Sequence, residues 1–448
     1  MTYDLQQVFH KVIMLKTIRI LLLLGLLITA LISIEAKAAT STIDVLHAEG
    51  IVNPVLADYI KRGIEEAEES NATALVIQLD TPGGLDTSMR DIIKDIVSAR
   101  IPVVVYVSPS GARAASAGVF ITVAAHVAVM APNTAIGAAS PVSMGSEGEQ
   151  QMSETMKEKV VNDAAAYIRS LAESHDRNME WAEKAVREAV SATEQEALEL
   201  NVIDMVAADL DALISQLDGR EITMLGGGVV TLNTQDATIN HVRMNGVEDF
   251  LYAISDPSIA YILLSLAMLG IVAEIYSPGL IFPGVIGAIS LLMALFSLGM
   301  LPINYAGLLL IVLAFALFIA EIFTVTFGLF TAGGLTALVL GSLILFKGGG
   351  PLFQVNPWLI ATIAIIIAAF TGLVMNRIIL AHRRQPSSGW EELVGKMALV
   401  KATLAPEGIV LFKGERWTAV SEAGQVEPGE EVIINKVDSL KLYVTKKQ

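Results

Sequence analysis

The 448-residue chain contains no cysteine, which removes thiolate catalysis, disulfide frameworks and cysteine-ligated metals and leaves a hydroxyl as the simplest covalent nucleophile. Ser116 is the hydroxyl whose surroundings invite that reading. It lies in Gly111-Ala112-Arg113-Ala114-Ala115-Ser116-Ala117-Gly118, where small neighbours let it stand at a crowded strand-to-helix turn and a helix N-terminus favours developing negative charge. The same serine among alanines also reads as a packed helix-start residue. Upstream, Asp80-Thr81-Pro82-Gly83-Gly84 closes a strand with two glycines. Their N–H groups can turn into an open nest, the arrangement that holds the oxyanion of a tetrahedral intermediate. The plain alternative is a tight turn. No metal and no cofactor is expected: the glycine triplets at 226–228 and 348–350 lack the strand-loop-helix context of a phosphate cradle and read as linkers or turns.

The elements that must position these residues are visible in the hydrophobic pattern. From Ser41 to about Val247, apolar strands alternate with amphipathic helices, as in an α/β domain. Ile43 to His47, Ala74 to Leu79, Val103 to Val107 and Val127 to Met130 are β-rich and mostly bounded by Gly, Pro or Asp. Leu85 to Ala99 and Arg113 to Ala125 read as helices. The polar, glycine-rich stretch from Ser140 to Ser153 suggests a loop or flap, and a helix is expected from about Ser153 to Glu173.

Before this domain, a basic flank (Lys11, Lys16, Arg19), an apolar run from Ile20 to Ile34 and the small-x-small pattern Ala36-Lys37-Ala38 predict a signal peptide over residues 1–39. Met14 opens a more conventional signal than Met1, and an uncleaved anchor helix is the alternative. Beyond it, the chain is almost continuously apolar from Ile259 to Met375. It divides into Ile259 to Ile275, Leu280 to Leu301, Tyr305 to Ile322, Phe327 to Phe346 and Trp358 to Met375, each near the roughly 20 residues that cross hydrocarbon. Pro278 and Pro283 also allow a re-entrant hairpin. Arg377, Arg383 and Arg384 place the end of the last span in the cytoplasm, and five crossings then put the α/β domain outside. Glu274 and Glu321 fall near span ends, where an interfacial role outweighs a buried functional one. The final segment, 386–448, offers five short strands, Ala398 to Leu404, Gly408 to Phe412, Arg416 to Val420, Glu431 to Val437 and Lys441 to Val444, which suggest a small OB-like barrel. A net charge of -16 argues against nucleic-acid binding, which needs a basic surface to neutralise phosphates.

Taken in order and spacing, the Gly83-Gly84 turn and the Ser116 segment resemble the Clp-protease/crotonase-like fold, as does Ala131-Pro132-Asn133-Thr134-Ala135-Ile136-Gly137-Ala138-Ala139-Ser140-Pro141. Where that resemblance implies a triad histidine, two positions before a proline, this chain has Ala139. His126 comes too early in the pattern and reads as structural. The resemblance then implies a lysine base, which must be neutral to accept the serine proton. Helical periodicity puts Lys157 nearer the stripe Val160, Ala164, Tyr167, Ile168 and Leu171. By contrast, Lys159-Val160-Val161-Asn162 with Ala166-Tyr167-Ile168-Arg169-Ser170-Leu171-Ala172 is similar to the catalytic-lysine helix of the long-form NfeD family of membrane-bound proteases and selects Lys159. Thr193-Glu194-Gln195-Glu196-Ala197 with Val202-Ile203-Asp204 also resembles a segment of this fold, with Asn201 where glycine is usual, a residue that tolerates the left-handed region.

What the resemblance implies is an integral protein of the cell (inner) membrane, with domains at 40–247 (protease), 248–376 (about five spans) and 386–448 (OB-like). It implies a Ser116–Lys159 dyad, an oxyanion hole at Gly83 and Gly84, and a homo-oligomer. It further implies a stomatin- or prohibitin-like partner in the same bilayer and cleavage of hydrophobic segments. The alternative is a membrane scaffold for such partners with a degenerate protease domain. A transporter is the weaker third reading, because the spans lack a set of interior charges.

Overall fold

The computed structural model describes residues 13–24, 41–141, 154–279, 281–324, 326, 328–347, 353–383 and 393–447. The Ala36-Lys37-Ala38 pattern and most of the expected loop before Ser153 lie outside the described residues. The chain divides into two units, Met1–Ala368 and Ala369–Gln448.

The first unit begins with β1 (Thr42–Glu49), α1 (Pro54–Glu69), β2 (Ala74–Asp80), α2 (Asp86–Ser98), β3 (Val103–Val107), β4 (Arg113–Ala115), α3 (Ala117–Val123), β5 (Val127–Met130) and β6 (Ala135–Gly137). It continues with α4 (Glu154–Ser174), α5 (Met179–Arg187), β7 (Ser191–Thr193), α6 (Glu194–Glu199), β8 (Met205–Val206), α7 (Leu210–Leu217), β9 (Glu221–Thr223), β10 (Val229–Thr231), β11 (Thr238–Val242) and α8 (Gly246–Ile254). A six-stranded parallel sheet has the order β11-β1-β2-β3-β5-β8. Its middle strands are apolar on both faces because both are covered: Leu75, Ile77, Val105 and Ala128 face one core, and Ala74, Val76, Val104 and Val129 the other. A second small sheet, β4-β6-β7, is the platform for the serine.

The expected strands at 103–107 and 127–130 coincide with β3 and β5. The expected helix from Arg113 to Ala125 is corrected. Arg113 to Ala115 form β4, paired in parallel with β6, and the helix occupies only Ala117–Val123. Alanine-rich sequence favours helix locally, but non-local bonds from Thr81 N to Arg113 O (2.8 Å) and from Ala115 N to Thr81 O (3.0 Å) hold the segment extended. Two local features mark the segment that follows β7. Thr193 and Glu196 form a reciprocal capping box on α6, and Asn201 adopts φ 55°.

Five apolar helices follow among the described residues: α9 (Pro257–Tyr276), α10 (Phe282–Met300), α11 (Tyr305–Phe323), α12 (Leu329–Leu345) and α13 (Pro357–Arg383). The first three are long and apolar enough to cross a membrane, while α12 and the apolar part of α13, Pro357–Leu373, are shorter. Pro283 lies in the first turn of a 19-residue helix, where its missing N–H costs nothing. Two close-packed pairs organise the helices. A Cβ on Gly270 would lie 2.8 Å from Gly287 Cα, and one on Gly341 2.8 Å from Gly307 O, so α9 meets α10 and α11 meets α12 at backbone distance, as small residues permit in membranes. Glu321 is structural: its carboxylate accepts from Gly328 N, Thr331 N and Thr326 Oγ1, each at 2.9 Å, and caps α12. Glu274 Oε1 accepts from Gly279 N at 3.3 Å, and its Oε2 is buried without a partner.

The second unit contains β12 (Met397–Ala402), β13 (Glu407–Phe412), β14 (Glu415–Ser421), β15 (Glu431–Asp438) and β16 (Lys441–Lys446), which close into a barrel of order β12-β13-β14-β16-β15. Closure leaves no free sheet edge, and Val400, Val410, Ala419, Ile434 and Leu442 fill the interior.

Candidate active site

The serine sits where β4 ends and α3 begins. Ser116 adopts φ 53° and ψ −112°, a conformation that costs a non-glycine residue on the order of 1–3 kcal/mol and persists only when its surroundings enforce it. Those surroundings are specific. Ser116 N donates to Gly137 O (3.1 Å), and the next three residues enter the helix directly, with Val119 N donating to Ser116 O (3.0 Å). Gly118 lets the helix approach the Asp80–Gly84 turn, since a Cβ there would lie 2.7 Å from Thr81 Cγ2. The far end of α3 is anchored by Arg177, whose buried guanidinium donates to Val123 O and Ala125 O and pairs with Asp204 at 2.7 Å.

Gly83 lies directly against Ser116. Its φ is +116°, and a Cβ on it would stand 2.7 Å from Ser116 Cβ and 3.1 Å from Oγ. Its N–H donates to the buried Thr81 Oγ1 at 3.0 Å. The backbone bonds that seat the turn, Val52 N to Gly83 O (2.9 Å) and Leu85 N to Val52 O (2.8 Å), do not use the Gly84 N–H. Gly84 lines a cavity of about 470 Å³ together with Ser116, Ala117, Lys157 and Lys159. The structure thus gathers segments far apart in sequence around one space. Ala117 was not singled out by sequence reasoning. Standing at the first helical position, its N–H has no intrahelical partner, and the expected helix start, at Arg113, lies four residues before the observed one.

Met89, Phe120, Val160, Val161 and Ala164 give the cavity apolar walls, with Asp86, Arg90 and Asp163 as further charged lining. Arg90 ties α2 to α4. It pairs with Asp86 (2.9 Å) and Asp163 (2.5 Å), and its guanidinium lies 4.6 Å from the Tyr167 ring centroid. The expected core stripe on α4 is corrected at its start. Ala164, Ile168 and Leu171 are buried, but Val160 is 39% exposed and lines the cavity. Periodicity therefore gives Lys157 no preference over Lys159, and both line the cavity.

No histidine is among the lining residues, and Ala139 contributes only a methyl. His126 is at the entry to β5, where its Nδ1 accepts from Val103 N (3.2 Å) and its ring meets His175 edge-on at 6.3 Å. Burial, with His175 and Arg177 nearby, pushes its pKa down from 6.5 to about 4. The unfolded chain therefore binds more protons between these values, so the stability due to neutral His126 is complete above pH 6.5 and is lost as pH falls through 4. Acidifying the full-length protein from pH 7 to 4 should remove on the order of 3 kcal/mol through this group. His126→Gln should flatten the fall in the thermal midpoint over that window, and an equally steep fall in the variant would reject the assignment.

The chain matches three family profiles: "NfeD1b, N-terminal domain" over residues 42–241, "NfeD integral membrane domain" over 258–377 and "NfeD-like C-terminal, partner-binding domain" over 391–446. It is 36% identical over 438 residues to membrane-bound protease PH1510 of Pyrococcus horikoshii, covering 96% of this chain and 98% of that protein. It is 28% identical over 442 residues to membrane protein NfeD1b of Bacillus subtilis, covering 94% and 97%. Among solved structures, a lysine-to-alanine mutant of the 1510-N membrane-bound stomatin-specific protease in complex with a substrate peptide is 33% identical. That match covers 48% of this chain and 98% of the other, with a TM-score of 0.45.

Proposed function

The chain belongs to the NfeD family, and from that premise we propose that it is a membrane-anchored serine endopeptidase with Ser116 as nucleophile and Lys159 as base. The observation that carries this reading is the strained Ser116 backbone, φ 53° and ψ −112°, presented to a cavity that two lysines and Gly84 share. Ser116 Oγ attacks the peptide carbonyl, the Lys159 amine takes the hydroxyl proton and returns it to the leaving amine as the C–N bond breaks, and water then cleaves the acyl-serine ester and restores the hydroxyl. The Gly83 N–H is taken by Thr81 Oγ1, so of the two glycines it is the Gly84 N–H that, with that of Ala117, holds the oxyanion. Lys159 is preferred to Lys157 on the motif of Lys159-Val160-Val161-Asn162 and Ala166 to Ala172, counting back from Tyr167.

Apolar cavity walls favour substrates with hydrophobic segments, in membrane-associated proteins such as a stomatin- or prohibitin-like partner. The active domain faces outward as part of a homo-oligomer, the C-terminal barrel is cytoplasmic, and an odd number of spans connects them. The test is covalent. A fluorophosphonate probe applied to the full-length protein in detergent should label Ser116, as mapped by mass spectrometry, and block peptide hydrolysis in proportion. Complete inhibition with the label on another residue would refute the assignment.

A further inference from the structure

The Gly83-Gly84 turn is not free-standing. Gly50 N donates to Asp80 O (2.9 Å), Val52 N to Gly83 O (2.9 Å), and Leu85 N to Val52 O (2.8 Å), so the segment from Glu49 to Val52 is zipped along the turn. Contact is tight enough that a Cβ on Gly84 would lie 2.1 Å from Val52 O. What fixes the far side of this segment is one phenol. The Tyr252 hydroxyl on α8 lies 2.8 Å from Glu49 O and 3.2 Å from Ile51 O, sharing its proton between the two carbonyls. Gly50 wraps around it at φ +97°, and a Cβ there would lie 2.5 Å from the phenolic oxygen.

The same helix is attached to the apolar helices. Ser297 Oγ on α10, fully buried, donates to Ile254 O at the end of α8, and Ile51 and Leu85 pack against the core that α9, α11, α12 and α13 share. A bidentate pair, Arg62 Nε and Nη2 each 2.7 Å from the Glu248 carboxylate, ties α8 to α1 independently of the turn.

We propose that Tyr252 is a positioning residue for the hydrolytic reaction: its hydroxyl sets the Glu49–Val52 segment, and through it the Gly84 amide, in register with the packing of the membrane helices. The inference rests on the protease reading given above. It separates two jobs for α8, since Arg62 holds the helix to the domain and Tyr252 aims the turn. Removing only the hydroxyl leaves the ring in place and two carbonyls without their donor. The turn then loses its constraint on the membrane side while Ser116 keeps its own.

Kinetics of the full-length protein in detergent test this with a peptide substrate. Tyr252→Phe is expected to lower kcat about tenfold and leave KM within about twofold, the pattern of a contact that matters in the transition state. Arg62→Gln is expected to lower the thermal midpoint and keep the parental kcat. Tyr252→Phe with parental kcat, or with kcat lowered no more than in Arg62→Gln, overturns the inference. Ser116→Ala is run beside both. If it hydrolyses like the parent, the protease reading itself falls; if it is inactive while Tyr252→Phe keeps parental kcat, the positioning role alone is overturned.

Discussion

Ser116→Ala and Lys159→Ala are each expected to lower kcat for peptide hydrolysis by roughly 10³-fold or more, because members of one proton-transfer unit fail together. Lys157→Ala is expected to stay within about tenfold of the parent. Both lysines line the cavity on α4, two positions apart and so not on one helical face. The double variant Ser116→Ala/Lys159→Ala should be no worse than either single one. An inactive Lys157→Ala beside an active Lys159→Ala would reverse the assignment, and additive losses would argue that the two residues do not act as a pair.

Gly83→Ala should be nearly as damaging, for a different reason. A methyl there would sit 2.7 Å from Ser116 Cβ and force a backbone at φ +116°, so either the serine or the turn must move. Displacing one oxyanion donor costs roughly 10²–10³ in kcat, and that is the expected loss. Gly111→Ala is the control. Its φ is +93°, but nothing lies within 4 Å of its added Cβ, so it carries the strain without the contact. Hydrolysis by Gly111→Ala should remain close to parental. If Gly83→Ala also kept parental kcat and parental labelling of Ser116, the contact between turn and serine would have no role in the reaction.

Much of the scaffold could be read in one dimension. β3 and β5 are short, valine-rich apolar runs, and that length and β-branching mark a strand buried on both faces. The left-handed Asn201 is likewise local chemistry. The site itself was only partly legible. Ser116 and the Gly83-Gly84 turn drew notice by type and spacing and the lysines through the family resemblance, yet the elbow did not, because Arg113 to Ala115 become a strand only through Thr81 and β6, which lie 32 and 22 residues from Arg113 in the chain. Val160 failed as a core residue for the same kind of reason: a helical stripe predicts burial only where something lies beneath it. Arg177, which holds the end of α3, and Tyr252, which holds the turn, act across 54 and 203 residues, and no periodicity reports such distances.

The glycine contacts in the membrane region have a consequence for how the chain enters a bilayer and how it could change. Gly270 with Gly287, and Gly307 with Gly341, each close a pair of consecutive helices. Each pair satisfies its own backbone within its helices. Each can therefore be threaded into lipid as a single helical hairpin. A hairpin gained or lost whole adds or removes two crossings at once, so the sequence on either side keeps its sidedness. The loss of one helix inverts everything that follows. The pairing thus makes the hairpin, and not the single helix, the unit whose gain or loss leaves flanking sequence on the side it had.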